Sequence, residues 1–428
     1  MRRIVLKAGE AFSGAHLQRK SAFNAQAMSV ATEIVEDVRQ RGDEVLRELT
    51  AKFDGVELQD FRVSPAVFEA AVARCEPKLA EALEQAADQI REFHERQLEQ
   101  SWFSVREDGA LVGAKVTPLD SVGVYVPGGR ALYPSTLLMN AIPASVAGVE
   151  RIVVANPPAR EAEGGLDPAI AKACELAGVT EIYQVGGAQA IAALAYGTEQ
   201  IAPVDKITGP GNAFVAAAKK LVSGDVGIDM IAGPSEVCVV ADKTADPALV
   251  AIDLMAQAEH DPLATCYLVT FSADYADEVE AAIAKHLEDS TRADITSASL
   301  DDQGLIVVCT ALDQAMGAVN IIAPEHLELH IANPLDSLGA IRHAGAIFLG
   351  EWTPEAVGDY VAGPNHTLPT GGTARFSSPL SVEQFVKKSS IIQYSQAALN
   401  ADAPAIIAIA KHEGLWAHAR SVELRMRL

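Results

Sequence analysis

The chain has 428 residues, enough for two or more domains, and 49% of them are hydrophobic, enough for a packed core. Its formal net charge of −23 and pI near 4.8 exclude a basic nucleic-acid binder and a protein that adheres to an anionic membrane surface. Five cysteines with no CxxC spacing exclude a thiolate zinc site.

Cys238, Cys266 and Cys309 lie in apolar, strand-like runs, which predicts buried, reduced thiols. The opening MRRIVLKAGEAFSG lacks the apolar core and cleavage pattern of a secretory signal, and no unbroken apolar run reaches the length of a membrane span. A cytoplasmic location is the expectation that follows.

Residues 21–100 read as helical. Val30, Ile34, Val38, Val45, Leu46 and Leu49 recur at helical spacing between Met28 and Phe53, and Asp54-Gly55 ends the segment. Ser64 is placed as an N-cap, and Glu76-Pro77 opens a charged helix towards Gln100. Residues 101–120 predict a hairpin with Asp108-Gly109 as a two-residue turn.

From Ser121 short apolar runs alternate with helical segments. SVGVYV, RIVVA, EIYQV and KIT read as strands, with helices from about Ser135, from Asp167-Pro168, over AQAIAALAY and from Ala213 to Val222. The alternation repeats with SEVCVVAD, ATCYLVTFS, GLIVVCT and AIFLG. Its helices open at Asp246-Pro247 and cover Tyr275–Leu287, Leu312–Val319 and Ser337–His343. Short, uniformly apolar strands separated by helices predict parallel sheets in an α/β fold. Val382–Tyr394 and Ala398–Gly414 read as helices of a C-terminal tail.

The expected organisation has four parts. Residues 1–120 form a helical segment and hairpin packing with the second α/β unit, 121–235 the first α/β unit, 236–380 the second, and 381–428 a helical tail for dimerisation.

Three glycine turns end strands of the first unit: Val126-Pro127-Gly128-Gly129, Val185-Gly186-Gly187-Ala188-Gln189 and Thr208-Gly209-Pro210-Gly211-Asn212. Ligands of open α/β sheets bind at such ends, where backbone N–H groups can meet phosphate. A tight βα turn explains each one as well, and no G-x-G-x-x-G fingerprint accompanies them.

Two residue pairs suit a metal. Gln257 and His260 share a face at a helix end, and His326 and His330 have i, i+4 spacing. Glu325-His326 after Pro324 also reads as an acid–base pair at a helix start. The stretch Glu351–Ser378 holds Glu355, Asp359, His366 and Arg375 among glycines, prolines and aromatic anchors, and reads as an ordered functional loop. Asp359 and His418 are further candidate ligands, but spacing cannot join such distant residues.

A resemblance joins them. SVGVYVPGGRALYPSTLLMNAIPA, VGGAQAIAALAYGT, ITGPGN, DMIAGPSEV, AQAEHDP, APEHLEL, AGAIFLGEWTPEAVGDYVAGPNHTLPT, ARFSSPLSVEQF and EGLWAHA resemble, in order, the histidinol dehydrogenases. The resemblance runs from about residue 22 to the C-terminus and implies two duplicated incomplete Rossmann-like domains in an intertwined homodimer. It implies NAD-dependent, four-electron oxidation of L-histidinol to L-histidine, with one zinc ion per subunit held by Gln257, His260, Asp359 and His418.

It further implies Glu325 and His326 as the acid–base residues. Ser235, His366 and Glu413 would contact substrate, together with His326 and the zinc ligands. Tyr125, Gln189 and Asn212 would contact NAD+. Glu413 and His418 would reach the partner's site. A paralogue acting on another amino or hydroxy alcohol, a zinc hydrolase and a non-catalytic subunit are the competing readings, and turnover of L-histidinol with two NADH per histidine separates them.

Overall fold

Short Val/Ile-rich runs cannot leave their backbone groups unpaired in a core, and here they pair into two parallel sheets. The computed structural model describes residues 1–19, 25–128, 133–159 and 162–426. Residue 129 of the first glycine turn and the expected helical residues 21–24 therefore lie outside the described residues.

Strand β1 (Arg2–Val5) comes first. The single helix expected between Met28 and Phe53 is two, α1 (Ala25–Arg41) and α2 (Asp43–Asp54). Gly42, at φ 55°, separates them, and the Glu199 carboxylate accepts the Asp43 N–H at 2.8 Å, capping α2 from a distant loop. Helices α3 (Pro65–Ala73) and α4 (Pro77–Glu95) start under side-chain caps from Ser64 and Glu76. Strands β2 (Trp102–Val105) and β3 (Leu111–Pro118) make the hairpin, but its turn is wider than Asp108-Gly109. The Arg106 N–H donates to the Ala110 carbonyl at 2.8 Å, so Glu107, Asp108 and Gly109 all turn the chain.

The first parallel sheet alternates β4 (Ser121–Tyr125), α5 (Pro134–Ala147), β5 (Arg151–Ala155), α6 (Pro168–Ala177) and β6 (Glu181–Tyr183). It continues through α7 (Gly187–Tyr196), β7 (Lys206–Thr208), α8 (Ala213–Val222) and β8 (Gly227–Ile228), and its strand order is β6-β5-β4-β7-β8.

The second alternates β9 (Glu236–Ala241), α9 (Pro247–Ala258), β10 (Thr265–Thr270), α10 (Ala273–Leu287), α11 (Ala293–Gln303) and β11 (Leu305–Val308). After α12 (Leu312–Ile322) come β12 (His326–His330), β13 (Ala346–Leu349) and the short α13 (Glu355–Tyr360). Its order is β1-β11-β10-β9-β12-β13. By chain order within each unit, both sheets run third, second, first, fourth, fifth, and β1 extends the second at its edge. The helix expected at Ser337–His343 is a 3-10 turn over Pro334–Ala340.

The N-terminal helices pack on the first sheet's helices, not on the second unit as expected: α1 on α7 and α8, α3 on α6, and α4 on α5 and α6. The reason is the apolar face of α1. Ala31, Val35 and Val38 share a core with Val185, Ile191 and Val215. The second unit receives β1, Leu6, Phe12 and Leu17 in its core, an Arg19–Glu236 ion pair at 2.6 Å, and a contact from His94 of α4 to Asn365 at 3.4 Å.

The chain divides into two compact units, and the boundaries differ from the four expected parts. The larger contains residues 1–97 and 120–385; the smaller contains 98–119 and 386–428. In the smaller, β14 (Val386–Gln393) pairs antiparallel with β3 from Val386↔Pro118 to Gln393↔Leu111, and α14 (Gln396–His412) and α15 (Trp416–Arg425) follow. The helix expected over Val382–Tyr394 is thus a 3-10 turn followed by a strand. Ser389, Ser390, Ile391 and Ile392 favour strand over helix once an edge offers pairing. Cys238, Cys266 and Cys309 are buried and free. Among the described residues no helix is long and apolar enough to cross a membrane.

Candidate active site

Two groups of residues within the larger unit carry the candidate chemistry. The first is at the carboxyl ends of β4 and β7, which flank the point where the first sheet reverses its order. Tyr125 ends β4, is buried, and accepts the Gly187 N–H on its hydroxyl at 3.1 Å. Burial pushes its phenol up to about 12, so it stays neutral. Gln189 is buried in the first turn of α7. Asn212 caps α8, its Oδ1 accepting from Phe214 N at 3.0 Å and Val215 N at 3.2 Å. Gly209 has φ 109°, and a Cβ there would lie 2.1 Å from the Tyr125 carbonyl oxygen, so only glycine lets the β7 turn approach β4 so closely.

The second group lies at the amino ends of β9 and β12, opposite to the end that usually binds ligands in such sheets. The sequence predicts a helix start at Glu325-His326, but His326–His330 is a strand. Its alternation instead puts His326, Glu328 and His330 on one face and Leu327 and Leu329 in the core on the other. His326 and His330 are therefore roughly 13 Å apart along the strand at about 3.3 Å per residue, too far to share one metal. Each joins its own polar cluster: His326 with Glu355 and Asp359, His330 with Asp253 and Glu328.

Glu325 is buried, and its Oε2 accepts the Glu236 N–H at 2.9 Å. Burial holds this carboxyl well above the usual carboxylate range. Burial also pushes the His326 imidazole down to about 4, so it is neutral at neutral pH. Its Nδ1 lies 3.0 Å from Gln257 Oε1 and 3.3 Å from the Glu236 carbonyl oxygen. Both neighbours accept, so Nδ1 carries the proton. Nε2 is buried without a hydrogen-bond partner, so its lone pair is bare.

Glu355 Oε1 lies 3.8 Å from His326 Nδ1, and Oε2 has no partner. Burial, then the Asp359 charge, hold Glu355 well above the usual range. His366 donates from Nδ1 to the Asp359 carbonyl at 2.9 Å, and burial lowers its proton affinity.

His326, Glu355 and Asp359 each offer a ligand atom within 4.8 Å of the others, a nitrogen-and-oxygen set that fits a divalent cation. The model of the histidinol dehydrogenase family matches residues 17–426. This chain belongs to that family. A histidinol dehydrogenase of Bacillus subtilis is 56% identical over 394 residues, covering 92% of each chain, and one of Geobacter sulfurreducens is 49% identical over 414 residues, covering 96% of each. The crystal structure of histidinol dehydrogenase from Elizabethkingia anophelis matches with a TM-score of 0.94 at 36% identity, covering 100% of this chain and 98% of that one. The chain is thus an oxidoreductase, a histidinol dehydrogenase by family, with a role in histidine biosynthesis.

Against the ligand set that the family resemblance implies, the structure is selective. Asp359 lies in the cluster around His326, and Gln257, 1% exposed, touches His326 directly. His260 is exposed beyond the end of α9 with Nδ1 3.0 Å from the Ala256 carbonyl oxygen, and it is outside that cluster. Glu413 and His418 are exposed residues of the smaller unit. Ser235 immediately precedes β9, and its carbonyl accepts the Thr265 N–H at 3.0 Å.

Sequence reasoning left Glu355 without a role. Its i, i+4 spacing to Asp359 after Pro354 was the available signal, and α13 puts the two carboxylates on one face. Arg375, the other unassigned residue, donates to the Ile321 carbonyl and braces its loop.

Proposed function

We propose that this chain oxidises L-histidinol to L-histidine in two steps through L-histidinaldehyde kept in the site, with zinc and two NAD+. The observation that carries the reading is the bare, buried Nε2 of His326, on a ring whose Nδ1 lies 4.0 Å from the buried Glu325 carboxyl.

Zinc on Gln257, His260, Asp359 and a partner subunit's copy of His418 would hold and orient the imidazole and amine of the substrate. His326 takes the hydroxyl proton on Nε2 as hydride leaves for NAD+, and the Nδ1–H bond to Gln257 keeps its ring in the productive tautomer. The aldehyde must add water before it has a second hydride to give. Glu325, when ionised, is the stronger base for its raised proton affinity and takes the proton of the attacking water. His326 then serves again for the gem-diol. Ser235, His366 and Glu413 would contact substrate.

Tyr125, Gln189 and Asn212 would receive NAD+ beside the closely packed Gly209 turn. The repeated strand order supports two duplicated, incomplete Rossmann-like domains, the first binding nucleotide and the second carrying zinc. The smaller unit presents Trp102, Phe103, Ile392 and Trp416, 58%, 68%, 71% and 76% exposed, and a surface this apolar supports a homodimer with shared sites. A cytoplasmic location accords with the acidic, reduced-thiol sequence.

Turnover of L-histidinol with NAD+, with and without chelator, tests the proposal. Two NADH per histidine, abolished when zinc is removed and restored by zinc alone, is the expected result. Activity in a demonstrably zinc-free sample removes the metal role, and turnover confined to another alcohol removes the substrate.

A further inference from the structure

The second polar cluster, Asp253, Glu328 and His330, has no role in the chemistry above, yet the three side chains are 7%, 0% and 3% exposed. His330 Nε2 lies 3.1 Å from Glu328 Oε2 and 3.3 Å from Asp253 Oδ2. Burial opposes a charge on His330, but the hydrogen bonds to Asp253 and Glu328 outweigh it and raise the imidazole to about 9. The other carboxylate oxygen of Glu328 accepts the Glu355 N–H at 2.9 Å. That amide is the first of α13, the helix that carries both Glu355 and Asp359.

Burying such a cluster is expensive. Well-packed apolar side chains in its place are often equally or more stabilising, so stability alone gives no reason for it. Its geometry does. Glu328 and His326 stand on the same face of β12, two residues apart, so the strand that presents the base also grips the helix that presents the acids. Helix α13 is seated at Gly358 as well: a Cβ there would lie 2.6 Å from Phe348 Cε1, leaving no room between the helix and β13.

We propose that Asp253, His330 and Glu328 form a buried positioning triad that fixes the start of α13, and through it sets Asp359 and Glu355 against His326. Asp253 orients His330, His330 holds one oxygen of Glu328, and the other oxygen is thereby aimed at the Glu355 N–H. The consequence for zinc rests on the reading of Asp359 as a ligand; the anchoring of α13 does not.

The test uses the full-length protein with Glu328→Ala, Glu328→Gln and Asp253→Asn. Hydrogen exchange of a peptide spanning residues 353–361, chelator competition for bound zinc, and separate KM values for L-histidinol and NAD+ are read out. Glu328→Ala should speed exchange in that peptide at least about tenfold, weaken zinc about 10–100-fold and raise KM for L-histidinol, with KM for NAD+ little changed. Glu328→Gln retains a carbonyl acceptor and should exchange within about threefold of wild type.

Unchanged exchange in a folded Glu328→Ala overturns the proposal, and so does a Glu328→Gln that exchanges as fast as the alanine variant. Should Glu328→Ala not fold, Asp253→Asn decides: faster exchange at 353–361 supports the triad and unchanged exchange overturns it. A wild-type protein that binds no zinc would refute the functional reading, and the exchange comparison would still decide the triad.

Discussion

Replacing Glu325 by glutamine isolates the hydration step. The Glu236 N–H donates to Glu325 Oε2 at 2.9 Å inside the fold, so Glu325→Ala would leave a buried donor unpaired, at about 1–3 kcal/mol of stability. Glutamine keeps an oxygen for that bond and removes only the ability to take a proton. A general base is worth about 10²–10⁴ in rate, or roughly 2.7–5.4 kcal/mol of barrier at about 1.36 kcal/mol per tenfold. His326 keeps its neutral imidazole and bare Nε2 in the variant, so the alcohol step should stay within about fivefold of wild type while the aldehyde step slows by about 10²–10⁴. Quenched-flow single turnover with L-histidinol reads both, because NADH then appears in two phases, the second slowed, with aldehyde accumulating after one NADH. His326→Gln should slow both phases. If Glu325→Gln slows both phases equally, or His326→Gln slows only the first, the division of labour between the two residues is wrong.

Three other outcomes follow from the geometry. Gly209→Ala should raise KM for NAD+ at least about tenfold and lower Tm, since the new Cβ meets a carbonyl oxygen 2.1 Å away at a φ that costs about 1–3 kcal/mol for other residues; unchanged values in both assays count against it. Asp359→Asn should lose zinc and L-histidinol affinity in calorimetry while NAD+ affinity stays near wild type; a variant that retains zinc stoichiometrically removes Asp359 from the ligand set. His94 is fully buried in α4, and burial lowers its proton affinity below the ordinary value near 6.5. The unfolded chain therefore binds the proton first as pH falls, and the contribution of neutral His94 is intact above about 6.5 and lost on descending towards the lowered folded value. The Tm gap between wild type and His94→Gln should accordingly narrow from pH 7.5 to 5. A gap that widens refutes the assignment.

The alternation of apolar runs with helices was readable because parallel strands buried on both faces leave no polar periodicity to confuse the pattern. Caps were readable too: Ser64, Asp167 and Asp246 accept backbone N–H groups at the expected helix starts. Strand β12 was hidden because its inward residues are His326, Glu328 and His330, and a strand whose buried face is polar resembles a helix with charges at i and i+4. Helix α13 was hidden behind Pro354 and Gly358, which read as loop until Phe348 is seen against the glycine.

Most polar residues of the candidate site stand out in the sequence because they sit in long motifs that resemble a family. Glu355 was not assigned because burial, which gives it its chemistry, depends on α9 and β12 packing over it, and no local pattern records that. The packing of α1 through α4 on the first sheet was equally invisible, since an amphipathic helix announces that it has a partner but not which one.

Strand β1 bears on how the chain is made. Its partner in the second sheet, β11, begins at Leu305, paired with Arg2. At about 5–20 residues per second, a ribosome takes roughly 15–60 s to cover that separation of about 300 residues. Throughout that time the first sheet can close but Arg2–Val5 has no strand to join. A nascent chain stalled before Leu305 would carry both β1 and the unfinished edge of β10 as open backbone, ready to pair with a neighbouring chain on the same message. Slow synthesis over residues 236–305 should therefore favour aggregation more than an equal delay near the C-terminus.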